Sequence, residues 1–243
     1  SLSKAKLPDI KKDPLKSLKR ATAKAAGKKF KHEKFERPTY VYRWFGEDGF
    51  VWSDDGERIA MQLFTYDNKD RYIVGIDFEQ AQLTTYHQLH DPAWVNDWTF
   101  NEFGFLHHSH DLWYLSEESG YSHLYVKPEG KRAKAMTKGD YEVADVYIQR
   151  DNAFAFFKAN KNHPGEYEIY RVSLTDNELT ALTQLKGMTD YQISPNEKQL
   201  LLQHSSLTRP SELYLASAEQ ASAPQRLTQS VTDAFQSLPW IAP

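Results

Sequence analysis

Two short signatures recur through this chain on one beat. Leu124-Tyr125 returns as Ile169-Tyr170 and Leu213-Tyr214, 45 and 44 residues on, and Met136-Thr137 returns as Leu182-Thr183 and Leu227-Thr228, 46 and 45 residues on. Independent signatures that share a period restrict the chain to a repeat architecture. A period of about 40–50 residues filled with short strands is that of a β-propeller blade, four antiparallel strands per unit.

The unit reads most clearly at 111–139, DLWYLSEESGYSHLYVKPEGKRAKAMTKG. It contains strands at 112–116, 123–127 and 132–136, joined by Glu-Glu-Ser-Gly and by Pro128-Glu129-Gly130. Upstream, FVWSDDGERIAMQLF is a strand, an Asp-Asp-Gly turn and a second strand, with Val51, Ile59, Met61 and Leu63 available to a core. The expected class is all-β, a partial β-propeller of about four four-stranded blades at 49–90, 91–138, 139–187 and 188–229, preceded by a strand at 40–45. Trp52, Trp98, Tyr147 and Gln192 anchor the innermost strands at spacings of 46, 49 and 45. Without a strand that interlocks first and last blades, the expectation is an open arc of a larger ring, with apolar end faces that invite pairing as a homodimer. Residues 230–243 leave the repeat and read as a connection into something beyond.

Charge is uneven. Residues 1–38 carry 13 Lys and Arg against 4 Asp and Glu, a surplus of +9, and the remainder sums to −12. In this arm 1–12 reads as loose, Asp13-Pro14 as the start of a helix over 14–26, and Gly27 as its stop. Leu15, Leu18, Thr22 and Ala25 form a thin apolar stripe, by which the helix docks loosely on another element. A solvated helix lying on an acidic body is preferred to nucleic-acid or membrane contact, since the arm has no aromatic interleaving and no nucleic-acid motif.

Composition sets further bounds. The chain has no cysteine, which excludes disulfides, thiolate-bound zinc and a thiol nucleophile. No apolar run approaches the roughly 18 residues of a membrane span, and 1–12 lacks the apolar segment of a signal peptide.

Several runs carry a resemblance. SEESGYSHLYV, then TKGDYEVADV, then EYEIYRVSL are similar, in order, to the Ser-Glu-x-x-Gly-Tyr-x-His-Leu-Tyr, Thr-x-Gly-x-(Trp/Tyr)-Glu-Val and Leu/Ile-Tyr motifs of the dipeptidyl peptidase IV branch of the prolyl oligopeptidase family. VWSDDGERIAMQ is similar to the Trp-Ser-Pro-Asp-Gly hairpin of that branch, and Ala93-Trp94-Val95 to its Gly-Trp-Val. The resemblance spans about 49–243. It implies an eight-bladed propeller followed by a C-terminal α/β-hydrolase domain, of which this chain would be the later half of the propeller. It favours a periplasmic or secreted location, a peptide substrate, a hydrolase-domain partner and no cofactor.

The chemistry of individual residues is sparse. A serine hydrolase needs G-x-S-x-G at a strand-to-helix turn. Gly120-Tyr121-Ser122-His123-Leu124 lacks the second glycine and lies in a hairpin, so catalysis by this chain alone is not expected. Glu117 is read as fixing the hairpin and Glu118 as exposed, the latter a candidate for an amine. Counting from Trp94-Val95 places the family's peptide-lining aromatic at Trp98 and its arginine at Thr99, so the aromatic is kept and the arginine lost. Trp98 and Trp94 are the substrate-facing candidates, with core packing the competing reading for Trp98. His107, His108 and His110 are read as loop histidines in preference to metal ligands. The expected role is a non-catalytic propeller fragment that gates and orients short peptides, and the alternative is a stand-alone protein-interaction module.

Overall fold

A computed structural model, described over residues 7–42, 49–96 and 98–241, converts the 45-residue beat into small antiparallel sheets. The chain divides into two compact units after residue 97.

The first unit begins with a helix, α1 (Lys16–Ala25), two residues later than the sequence suggested. The reason is local. The Asp13 carboxylate accepts the Leu15 N–H at 2.9 Å, and the Lys16 N–H bonds the Asp13 carbonyl, so residues 14–15 are spent in a turn. Gly27 does end the helix, at φ +64, with Gly27 N–H on Lys24 O and Lys28 N–H on Ala23 O. The apolar stripe is not what holds α1: the helix buries none of its residues, and Leu15 and Leu18 are 52% and 61% exposed.

Residues 7–12, expected to be loose, are instead anchored. Leu7 and Ile10 pack with Met61, Leu63, Tyr72 and Val74, and the Tyr72 hydroxyl donates to Pro8 O at 2.7 Å. The sheet that receives them has β1 (Thr39–Val41) and β2 (Phe50–Trp52) along one edge of β3 (Ile59–Thr65), followed by β4 (Asp70–Asp77) and β5 (Gln82–His90). Both short strands run antiparallel to β3, β1 opposite residues 63–65 and β2 opposite 59–61. The continuation of the expected strand to Phe45 lies outside the described residues. On the other face of the sheet Phe64 packs with Tyr42, Leu89 and Val95, which explains why β3 is buried along its whole length.

The second unit holds three blades. The first comprises β6 (Phe103–Phe105), β7 (Leu112–Ser116), β8 (His123–Lys127) and β9 (Lys134–Ala135). The second comprises β10 (Val143–Ile148), β11 (Phe154–His163), β12 (Glu166–Ser173) and β13 (Leu179–Ala181). The third comprises β14 (Met188–Ile193), β15 (Gln199–Ser206), β16 (Arg209–Ser217) and β17 (Gln225–Arg226), with a short helix α2 (Asp233–Gln236) in the tail. One expectation fails here: Trp98 does not sit in an innermost strand. The Asp91 carboxylate folds the Ala93 and Trp94 N–H groups into a turn, and Phe100 adopts φ +60, so extension is delayed to β6.

With β6 as the first strand of its blade, the four opening hairpins share one spacing. Trp52 pairs Ile59, Phe105 pairs Leu112, Ile148 pairs Ala155 and Ile193 pairs Leu200, seven positions apart in each case. Three of them share a turn, in which Asp55, Asp151 or Asn196 accepts the N–H two residues on and Gly56, Asn152 or Glu197 takes a positive φ.

The recurring threonines are latches. Thr137 Oγ1 accepts the Leu124 N–H, Thr183 that of Ile169 and Thr228 that of Leu213. Each also bonds the buried side chain just before that residue: His123, Glu168 or Glu212. The two signatures are therefore two halves of one contact, which is why they keep the same period. In the first unit a related knot centres on Asp70, fully buried at the start of β4, which takes Arg37, Gln88 Nε2 at 2.8 Å and His90 Nδ1 at 2.9 Å.

Packing explains the apolar run FAFF in β11. Ala155, Phe157 and Ala159 join Leu115, Leu124 and Val126 of the preceding blade, while Phe156 joins Leu200, Leu202 and Tyr214 of the next. A strand buried on both faces needs no alternation. Burial of each Phe contributes about 2–3 kcal/mol.

Candidate functional site

The exception in that run is Lys158. Period-2 alternation puts it on the Phe156 face of β11, and there its ammonium meets two carboxylates: Asp145 of β10 at 2.6 Å and Asp190 of β14 at 2.8 Å. Asp145 reaches it through a β-bulge. The β10–β11 register slips between Ala144 and Tyr147, and Asp145 sits at φ +52. The donors freed by the bulge go to one carboxylate: Glu102 accepts Asp145 N–H at 2.8 Å and Val146 N–H at 2.6 Å. The Tyr191 hydroxyl donates to the Asp145 carbonyl at 2.7 Å, and the Tyr167 ring lies 5.9 Å from the ammonium while its hydroxyl faces Glu142.

The electrostatics follow from this geometry. Burial works against the charge of Lys158, but the hydrogen bonds it donates to Asp145 and Asp190 outweigh it and hold the amine above its ordinary value. Burial, then the Glu102 and Asp145 charges, pushes the Tyr191 phenol well up, and burial with the Glu142 charge raises Tyr167. Lys158 is thus a fixed cation, 18% exposed, between carboxylates that are each 55% exposed. The cluster presents outward-facing oxygen edges suited to a cation or a hydrogen-bond donor.

The residues singled out from sequence lie elsewhere. Trp94 is 54% exposed in the first unit, and Trp98 is 65% exposed in the second. Thr99 is also exposed. In the β7–β8 hairpin the Glu117 carbonyl accepts Gly120 N–H at 2.9 Å, and Ser116 Oγ bonds both the N–H and the carboxylate of exposed Glu118. Ser122 is fully buried, with its hydroxyl donating to Val143 O at 2.8 Å. The His123 imidazole is bound between Thr137 and Gly139 O. Neither resembles an activated nucleophile or its base. His107 is clamped through its backbone to the Asn152 amide, and His110 faces Glu129 at 3.5 Å. Among the described residues no three His, Cys, Asp or Glu side chains converge on a metal position.

Sequence reasoning passed over Glu102, Asp145, Lys158 and Asp190. One signal was available: a lysine inside FAFFKA must either end the strand or find a buried partner.

Comparison with known proteins is consistent with this architecture. Residues 37–211, well over half the chain, match the family described as the dipeptidyl peptidase IV (DPP IV) N-terminal region. The chain belongs to that family. Among solved structures it is similar to dipeptidyl peptidase 4 of Porphyromonas gingivalis, with a TM-score of 0.68 and 16% identity over 86% of this chain and 28% of that one. It is also similar to a putative dipeptidyl aminopeptidase IV from Bacteroides ovatus, with a TM-score of 0.63 and 15% identity over 84% of this chain and 31% of that one. At such identities the likeness speaks for the fold, a partial β-propeller of the DPP IV-like type. The chain spans less than a third of either protein.

Proposed function

We propose that this chain is the non-catalytic propeller portion of a DPP IV-like serine peptidase, acting with an α/β-hydrolase domain that supplies the nucleophile. Its task is to wall off the active site, admit short peptides and orient them. The observation that carries this reading is the family match over 37–211, which coincides with repeated four-stranded blades. The burial of Ser122 within a hairpin supports the non-catalytic part. Trp98, Trp94 and Glu118 are the proposed substrate-facing residues, and their exposure suits that role. The outward edges of Asp145 and Asp190 are a second place at which a peptide's cationic amino end is steered.

The purified chain is expected to show no hydrolysis of a Gly-Pro chromogenic amide. Turnover that survives repurification overturns the non-catalytic assignment. In a protein joining this chain to its hydrolase domain, Trp98→Ala is expected to lower kcat/KM for dipeptidyl amides about tenfold, mainly through KM. An unchanged value removes Trp98 from the substrate path.

A further inference from the structure

The basic segment is a built element rooted at both ends. At its start Leu7 and Ile10 are buried in the first sheet, and at its end the buried Arg37 bonds Ile10 O through its backbone and Asp70 through its guanidinium. Between these roots α1 and the returning stretch fold against each other, with Lys19 5.3 Å from the Phe35 ring and Arg20 5.7 Å from that of Phe30. A hollow of about 150 Å³ lies between the two limbs, bordered by Lys11, Lys12, Lys16, Lys19, Lys31 and Lys34, with Asp13 and Glu33 as opposing charges. Among the described residues the one ion pair made by α1 is Lys19 with Asp13. The other cations of the hollow are exposed and uncompensated there.

Helical periodicity adds a second property. At 100° per residue, Leu15, Leu18, Ala21, Thr22 and Ala25 share one arc, and Lys16, Lys19, Arg20 and Lys24 share the opposite one. None of these residues is buried. A helix with a basic arc opposite an uncovered apolar arc suits the boundary between headgroups and acyl chains of an anionic bilayer.

We propose that residues 11–34 are a docking surface for an anionic lipid bilayer, with Leu15 and Leu18 entering the interface and the exposed lysines of the segment drawn to the lipid phosphates. Charge complementarity commits the surface to an anionic partner, and the apolar arc favours lipid over nucleic acid. Phe30 and Phe35, which could stack on bases, each already hold a cation over one face, Arg20 and Lys19 respectively. No helix among the described residues is long and apolar enough to cross a membrane. This inference is independent of the peptidase reading.

The test is co-sedimentation of the intact chain with vesicles, either phosphatidylcholine alone or phosphatidylcholine with about one-third phosphatidylglycerol, in about 0.1 M salt. Partition is expected to rise about tenfold with the anionic lipid and to return to the neutral level in Lys12→Glu/Lys16→Glu. Lys28→Glu/Lys31→Glu, beyond the helix stop, is expected to behave in the same way, which guards against a folding defect in the helix. Leu18→Ser is expected to lower partition several-fold with the charge of the segment unchanged. Equal partition onto both vesicles, or partition unaffected by both double variants, overturns the proposal. Binding of duplex DNA without binding of vesicles also overturns it, assigning the cations to nucleic acid.

Discussion

Thr183 donates its hydroxyl to the Glu168 carboxylate at 2.5 Å while the same oxygen accepts the Ile169 N–H at 2.9 Å, and both partners are buried. One hydroxyl thus satisfies a buried charge and a buried backbone donor. Thr183→Val keeps the shape and removes both bonds, and a loss of about 3 kcal/mol is expected. Thr183→Ser keeps the oxygen and is expected to cost less than about 1 kcal/mol. Urea midpoints of the two variants check this, and a loss in Thr183→Ser equal to or larger than that in Thr183→Val would mean that packing of the methyl group matters at least as much as the hydroxyl.

The corresponding carboxylate in the last blade gives a pH prediction. The Thr228 hydroxyl, then Ser230 and Arg226, hold Glu212 down to about 2, against the upward pull of burial. A depressed carboxyl contributes stability that is fully present above its unfolded value near 4.5 and is lost as pH falls toward 2. Wild-type stability is therefore expected to fall more steeply than that of Glu212→Gln between those pH values, with the two curves converging at the acid end. Parallel curves in chemical denaturation would contradict the assignment.

His123 occupies the latch position filled by Glu168 and Glu212 in the next two blades, yet it is not interchangeable with them. The Gly139 carbonyl can only accept, so Nε2 carries the proton and Nδ1 accepts from Thr137. Burial lowers the His123 pKa below its ordinary 6.5, with the Gly139 bond opposing. The sign is that of a depressed group: stability is full above pH 6.5 and falls below it, as the unfolded chain takes up a proton that the folded chain resists. Histidine NMR titration is expected to place this ring below its free value. His123→Glu is expected to destabilise by about 1–3 kcal/mol, since it turns a carboxylate toward a carbonyl. A neutral outcome would show that the hairpin can rebuild its Glu-type latch.

At the inner polar cluster, Lys158→Met leaves Asp145 and Asp190 facing each other without their shared cation. A loss of about 1 kcal/mol at neutral pH is expected, modest because both carboxylates are half exposed. The loss should shrink in high salt. A salt-independent deficit would point to lost packing of the lysine stem instead.

The repeat was readable because its markers are short-range partners of one another: Thr183 and Ile169 are 14 residues apart and carry their own spacing. The hairpin strands β7 and β8 were readable to the residue for a similar reason, since a turn sequence sits between them. Trp98 misled because a tryptophan in an apolar run resembles a strand, and nothing in the run announces the positive φ at Phe100. The Lys158 cluster was out of reach for a different reason. It depends on a bulge held by Glu102, 43 residues before Asp145, and no local pattern encodes such a carboxylate. The anchoring of residues 7–12 was missed because Leu7 and Ile10 are too few to form a period, and their burial is decided by Tyr72 and Met61 far along the chain.

The last two blades also meet edge to edge, where Tyr167 and Met188 form a parallel bridge and the Tyr167 N–H bonds Gly187 O at 2.7 Å. Calorimetry should therefore register residues 143–226 as one cooperative melting event. Anyone shortening the protein for crystallisation or display will do better to keep that pair whole than to divide it at residue 187.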